Sequence, residues 1–375
     1  MNIVLVDCSD RRQVNQFLGL PFRLYKNVKQ WVPPLEIEAR QMLNCERHPF
    51  YRYGEAAFFL ALEGNQTVGR LAILDNQRFN TLRDQRTAFF YLFESEDKEE
   101  IAIGLFESAF AWARGRGLNK VIGPKGFSFL DGVGLLVRGF EYRPAFGIPY
   151  HLPYYSRLVE SAGFSTLRDM LSGYIQDEGT PYQFPERFFR VAEKVKERRG
   201  LRVVSAKNRS EFKALVPLLK DIFNAVLGGT YANVPLTDEE ASKIFRQLVW
   251  FSDPQLIKLV MKDDEVVGFF FAYPDISAAV QRTGGRMFPF GWIQLLWEAR
   301  RTRWVDLTGF GISEAYRGCG GTAMLISEIY KTMIERGYQY LEFVHARAEN
   351  QEMLRELEFI GLNYYKTHRV YERTL

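Results

Sequence analysis

Apolar and polar side chains alternate with period two in matched pairs of segments along this chain. Residues 58–74, FFLALEGNQTVGRLAIL, form two alternating segments around a polar turn, with a glycine early in the second. Residues 256–273, LIKLVMKDDEVVGFFFAY, repeat the design: an apolar strand, a charged turn, then Val-Gly opening the return. Both predict β-hairpins, because side chains two apart on a strand share one face. Helical periodicity follows each. Residues 98–117, KEEIAIGLFESAFAWARGRG, predict a helix with a glycine stop, LNKVIG (118–123) a strand, YYSRLVESAGF (154–164) a short helix and STLRDMLSGYI (165–175) a strand. In the second half, TAMLISEIYKTMIERG (322–337) places Ile326, Ile329, Tyr330 and Met333 on one helical face and stops at Gly337. YQYLEFV (338–344) is the next strand, NQEMLRELEFIG (350–361) the next helix and LNYYKTHRVY (362–371) the last strand.

The order hairpin, strand, helix, strand, helix, strand therefore occurs twice, which predicts a tandem duplication. The seam falls in 176–200, QDEGTPYQFPERFFRVAEKVKERRG, where Gly and Pro lead into a charged helix. This places an N-terminal domain at 1–178 and a C-terminal domain at 179–375. The first half alone carries a Gly- and aromatic-rich stretch, 123–153. An irregular surface loop is the plain reading; so long a loop with so many aromatics is also a candidate functional segment.

Composition narrows the class. At 375 residues the chain suits two domains, and 47% apolar with 15% aromatic residues describes a globular protein rather than a disordered one. The 49 basic and 45 acidic residues are dispersed, so the net charge of +4 gives no nucleic-acid footprint. Cys8, Cys45 and Cys319 have neither metal nor redox spacing and their odd number argues against a disulfide framework, so no metal site is expected. The opening apolar run ends at Asp7, too short for a signal sequence, and the longest run, VVGFFFAY (266–273), is far below membrane-spanning length. The expectation is a cytoplasmic protein with no membrane and no nucleic-acid partner.

The candidate chemistry lies in AYRGCGGTAM (315–324), an arginine and three glycines ahead of a helix. Gly318-x-Gly320-x-x-Ala323 satisfies a dinucleotide-binding pattern, with acidic Glu342 at a plausible distance. Against that reading, SEAYR (313–317) intervenes between strand and glycine, and too few βα units remain. A P-loop is excluded because no Gly-Lys-Ser/Thr follows. The third reading keeps the arginine: small residues let the backbone close on a diphosphate, and the unpaired N–H groups of a helix start supply donors and a positive dipole end.

Tyr-Arg-Gly-Cys-Gly-Gly-Thr-Ala resembles the R-x-x-G-x-G/A loop of the GCN5-related N-acyltransferases, the GNAT superfamily, which holds the pyrophosphate of acyl-coenzyme A. Asn350-x-x-Met353-x-x-x-Leu357-x-x-x-Gly361 is similar to the family's Asn-x-x-Ala-x-x-x-Tyr-x-x-x-Gly segment, and 24–35, 68–73 and 364–372 resemble a group of bacterial N-acetyltransferase-like proteins. The resemblance implies an α/β fold (an α+β mixed sheet) of two acyl-CoA N-acyltransferase (GNAT)-like domains in tandem. It further implies acetyl-CoA or another acyl-CoA as co-substrate and an amine acceptor, small molecule or peptide. It assigns Arg317, Gly318, Cys319, Gly320, Gly321 and Thr322 to the pyrophosphate, Gly311 and Ile312 to the pantetheine arm, and Asn350 to the cofactor.

The pattern departs in places. Thr322 stands where the family prefers Gly or Ala. Leu357 replaces a tyrosine that protonates the leaving thiolate, so Tyr364, Tyr365 or no acid at all must serve, and a non-catalytic acyl-CoA sensor or scaffold stays open. In the first half the equivalent junction, FYLFESEDKEE (90–100), is acidic and lacks glycine, so one cofactor site is expected. Asp306 and His345 are the candidate bases; either could instead be structural, Asp306 facing solvent or an arginine and His345 packed in the strand. Cys319 reads as a loop filler. The aromatic run MFPFGWIQLLW (287–297) is expected in the core or between domains, or else lining the acceptor channel opposite 123–153.

Overall fold

The computed structural model describes residues 1–128, 131–176, 186–227, 233–317 and 319–375. The Gly/Pro part of the proposed seam, 177–185, and Gly318 lie outside the described residues.

Strands β1 (Asn2–Leu5), β2 (Gly54–Glu63), β3 (Gln66–Asn76), β4 (Thr87–Ser95), β5 (Lys120–Gly123), β6 (Leu135–Arg138) and β7 (Ser165–Gln176) come from the first half. The second contributes β8 (Leu201–Ser205), β9 (Ile257–Lys262), β10 (Glu265–Pro274), β11 (Trp304–Ile312), β12 (Tyr340–Arg347) and β13 (Asn363–Thr374). Both expected hairpins form, β2 with β3 and β9 with β10. The repeated Val-Gly has one cause in both. A Cβ on Gly69 would lie 2.7 Å from Ile101 of the covering helix, and one on Gly268 would lie 2.3 Å from Ile312 of the neighbouring strand. Each glycine lets a neighbour sit close against the return strand.

Two parallel pairs follow. β4 runs beside β5 and β11 beside β12, each joined by a helix, Glu99–Arg114 in the first half and Gly321–Arg336 in the second. A parallel pair requires such a crossover, and each helix buries an apolar face on the sheet: Leu105, Phe106 and Phe110 in one, Leu325, Ile326 and Ile329 in the other.

The halves are not separate sheets. Among the described residues the order is β1-β2-β3-β4-β5-β13-β7-β12-β11-β10-β9-β8, with β6 pairing β13. β7, the last strand of the first half, pairs with β12, and β13, the last strand of the chain, lies between β5 and β7. Each half thus ends against a strand of the other. The 123–153 stretch is held over this junction by the pairing of β6 with β13 and by Lys366 Nζ donating to Arg143 O at 3.1 Å.

Candidate functional site

The ladder between β11 and β12 stops at Leu307↔Phe343, while β11 continues to pair with β10 as far as Ile312. β12 bulges at the same level, where His345 takes a φ of 59° and pairing with β7 shifts between Phe343 and Ala346. The strands therefore splay, and the facing edges of Thr308–Ile312 and Val344–Arg347 have no partner in each other. A cavity of about 1000 Å³ fills the opening, walled by both strands, by the start of the Gly321 helix and by Lys125, Asp131, Val133, Phe146 and Ile148 of the 123–153 stretch. That stretch is a wall of the site, not a bland surface loop.

At the mouth, β11 gives way to a tight turn at Glu314–Tyr316, and the Gly321 helix begins behind Gly320, whose φ is 86°. Among the described residues no side chain caps this helix. Met324 N is its first amide with a backbone acceptor there, Gly320 O at 3.2 Å, and the N–H groups of Gly321, Thr322 and Ala323 have none among the described residues. Four N–H groups without intrahelical partners are inherent in any helix start; leaving them uncapped beside a cavity is not. Gly311, Ile312, Arg317, Gly320, Gly321, Thr322 and Asn350 all line the cavity. Asn350 also has a structural duty, because its side-chain oxygen accepts from Met353 N at 3.3 Å and caps the Gln351–Phe359 helix. Cys319 is off the wall, with its Sγ against Arg199 Nη1 at 2.8 Å, which suits a filler. Gly320 is glycine for reasons of its own: the positive φ, and a Cβ there would lie 2.3 Å from Val195 on the helix Glu186–Arg199.

The two candidate bases separate. His345 lines the cavity, its ring 4.8 Å from that of His368, and its buried Nε2 has no hydrogen-bond partner. Burial, then the neighbouring His368 and Lys366, hold its pKa well below 6.5, which favours the neutral imidazole. Asp306 is fully buried and off the wall. Its Oδ2 accepts from Phe146 N at 3.2 Å, and Phe146 and Tyr273 stand between it and the cavity. Neither expected alternative holds for it: Asp306 does not face solvent and is not paired with Arg300, Arg301 or Arg303. Burial, then the nearby Asp275 and Glu342, push its carboxyl well above the usual range. Glu342 beside it pairs with Lys366 at 2.7 Å and bonds Tyr365, so it cannot hold a ribose as the dinucleotide reading required. Leu357 is buried in the core, and neither Tyr364 nor Tyr365 lines the cavity; Tyr364 donates to Leu354 O at 3.3 Å.

His368 was missed in the sequence. It sits on β13, and only the exchange of last strands brings it beside His345. Its Nε2 lies 3.0 Å from Pro149 O and burial lowers its pKa to about 4. The unfolded value is near 6.5, so this group contributes stability that is present above pH 6.5 and lost as pH falls towards 4. The window is worth up to about 3 kcal/mol. In urea unfolding across that range, His368→Gln should bring the proton uptake on unfolding down by close to one; an unchanged slope would contradict the burial of this ring.

The first-half junction is closed by protein. Glu94 accepts from Tyr25 and Tyr155 hydroxyls at 2.8 and 2.7 Å and pairs with Arg70, while Arg157 binds Asp97 and Glu99 at the start of the helix. The aromatic run 287–297 corrects the expectation. Phe288, Phe290, Trp292, Ile293 and Trp297 are exposed, and none lines the cavity.

The second half thus presents a splayed parallel pair with an uncapped, glycine-led helix at its mouth; the first half repeats the parallel pair and the crossover helix, which starts at Glu99, with its junction filled by side chains. The sequence pattern of the Acetyltransferase (GNAT) family matches residues 219–359. A tandem GNAT protein from the clavulanic acid biosynthesis pathway, solved without AcCoA, aligns over 100% of this chain and 98% of its own with a TM-score of 0.57 at 10% identity. A GCN5-related N-acetyltransferase from Sphaerobacter thermophilus aligns over 100% and 95% with a TM-score of 0.50 at 14% identity. Residues 219–359 thus carry the pattern of the Acetyltransferase (GNAT) family, and the whole chain has the fold of a tandem GNAT protein. Among named proteins, Protein YghO of Escherichia coli strain K12 is 27% identical over 98% of this chain and 94% of its own. A bacterial ceramide synthase of Caulobacter vibrioides is 26% identical over 97% and 95%.

Proposed function

We propose that the chain is an N-acyltransferase that moves an acyl group from acyl-coenzyme A to an amine. In this reading residues 179–375 hold the co-substrate and residues 1–178 are a degenerate copy that shapes the acceptor side. The observation that carries it is the set of amides at Gly321, Thr322 and Ala323, unpaired among the described residues and beside Arg317 at the mouth of the cavity. Acyl-coenzyme A supplies an activated thioester. This chain's part is to hold the diphosphate at those amides, lay the arm along the unpaired edge of β11 and exclude water with the 123–153 wall. His345 Nε2 takes the proton from the attacking amine as the C–N bond forms and the C–S bond breaks.

The Caulobacter relative is named a ceramide synthase. Val133, Ile148, Met170, Phe310 and Phe343 give the cavity an apolar lining that supports a long-chain acyl group or acceptor here. His345→Gln should lower kcat about a hundredfold and leave acyl-coenzyme A affinity unchanged. Thiol release with an acyl-coenzyme A series and an amine library measures the first and calorimetry the second; unaltered turnover removes His345 as base. The buried Leu357 favours a second reading, an acyl-coenzyme A sensor. Binding without product across the library would select it.

A further inference from the structure

We propose that residues 282–303 form a docking surface for an anionic phospholipid membrane. The helix Gly291–Arg301 is apolar on two faces. Gly291, Leu295 and Ala299 face inward, and Leu295 and Ala299 join the buried cluster with Leu35, Ile276 and Val280. On the outer face, where a helix at a water interface should be polar, stand Ile293 and Trp297, and the turn ahead of it raises Phe288 and Phe290, 73% and 69% exposed. Phe290, Ile293, Trp297 and Arg301 follow one another at helical spacing, so they form a single stripe.

Charge identifies the occupant. The segment carries Arg282, Arg286, Arg300, Arg301 and Arg303 against one acid, Glu298, which Arg282 neutralises. Arg286, Arg300 and Arg301 pair with no carboxylate among the described residues, and Arg301 lies 4.3 Å over the Trp297 ring. Aromatic rings at headgroup depth ringed by arginines that reach lipid phosphates make an interfacial contact, and the arginine stems can lie along the apolar stripe. A second copy of the chain would set the same cationic surface against itself, which opposes self-association through this face. No helix among the described residues is long and apolar enough to cross a membrane, so the contact is peripheral. Phe146 and Met287 pack on the cluster that seats this helix, and Phe146 is also a wall of the cavity. Docking therefore places the membrane on the outer face of the helix whose inner cluster Phe146 shares.

The surface is independent of the acyl-transfer reading, since vesicle binding is read without turnover. The full chain should sediment with phosphatidylcholine vesicles containing phosphatidylglycerol and not with pure phosphatidylcholine, and added salt should weaken the binding. Phe288→Ser with Phe290→Ser, and separately Arg300→Glu with Arg301→Glu, should each lower the partition coefficient about tenfold or more. These side chains are exposed, so the melting temperature should hold; if the serine pair lowers it, the charge pair decides. Wild-type protein that ignores anionic vesicles, that binds neutral ones equally, or whose binding survives both variants overturns the proposal. So does a dimer in sedimentation velocity that Phe288→Ser with Phe290→Ser dissolves, which would assign the face to a second copy.

Discussion

Acetyl-coenzyme A affinity falls by about three orders of magnitude in the double variant Arg317→Glu/Thr322→Asp, while the melting temperature holds or rises. The two readouts move apart because they depend on different properties of one helix start. An aspartate at position 322 lies in the first turn of an uncapped helix, where a carboxylate favours folding by roughly 0.3–1 kcal/mol. The same carboxylate occupies the amides that a diphosphate needs, and the glutamate at 317 replaces attraction with repulsion. Losing two charge-assisted hydrogen bonds costs roughly 3–6 kcal/mol, or about two to four decades of affinity. Calorimetric titration and a thermal melt measure the pair. A dissociation constant close to wild type would place the diphosphate elsewhere. Gly320→Val is a poorer probe, since the Val195 contact and the positive φ would lower stability along with binding.

What was legible in the sequence depended on how local its cause is. Hairpins, crossover helices and the glycine-led loop follow from period, turn chemistry and backbone freedom within twenty residues, and they stand where the pattern placed them. The acidic junction of the first half was legible as unfit for a diphosphate, though its Glu94 proved to be buried among Tyr25, Tyr155 and Arg70 instead of repelling from the surface. The exchange of β7 and β13 was not legible, because both strands alternate in the same way and either sheet would satisfy them. That exchange carries His368 to His345 and Lys366 to Glu342, so the inner layer of the site was hidden with it. The aromatic run at 287–297 misled for a related reason. Composition assigns such residues to a core, and only the sheltered positions 291, 295 and 299 show that the core face of this helix is filled without them. Counting the length of apolar runs detects membrane spans and is blind to an interfacial stripe.

Lys366→Met should destabilise the chain by about 3–5 kcal/mol, the largest loss expected from one substitution in this region. Lys366 and Glu342 are 1% and 5% exposed and 2.7 Å apart, with Asp306 and Asp275 acting on the same carboxylate. Removing the cation leaves a buried carboxylate among acids, and it also frees Arg143 O, one of the ties on the 123–153 wall. Lys366→Met/Glu342→Leu should recover most of the loss, since a well-packed apolar pair replaces a buried ion pair at little cost. The pH dependence follows from the sign of the shift. Burial already raises the Glu342 pKa above its ordinary 4.5, and the lysine opposes that rise. In Lys366→Met the folded value climbs further, so the folded chain holds a proton that the unfolded chain releases, and stability drops as pH rises through that window. Urea unfolding should therefore show a larger deficit at pH 8 than at pH 5. An equal deficit at both would mean that the lysine acts through packing and its bond to Arg143, with the carboxylate protonated throughout.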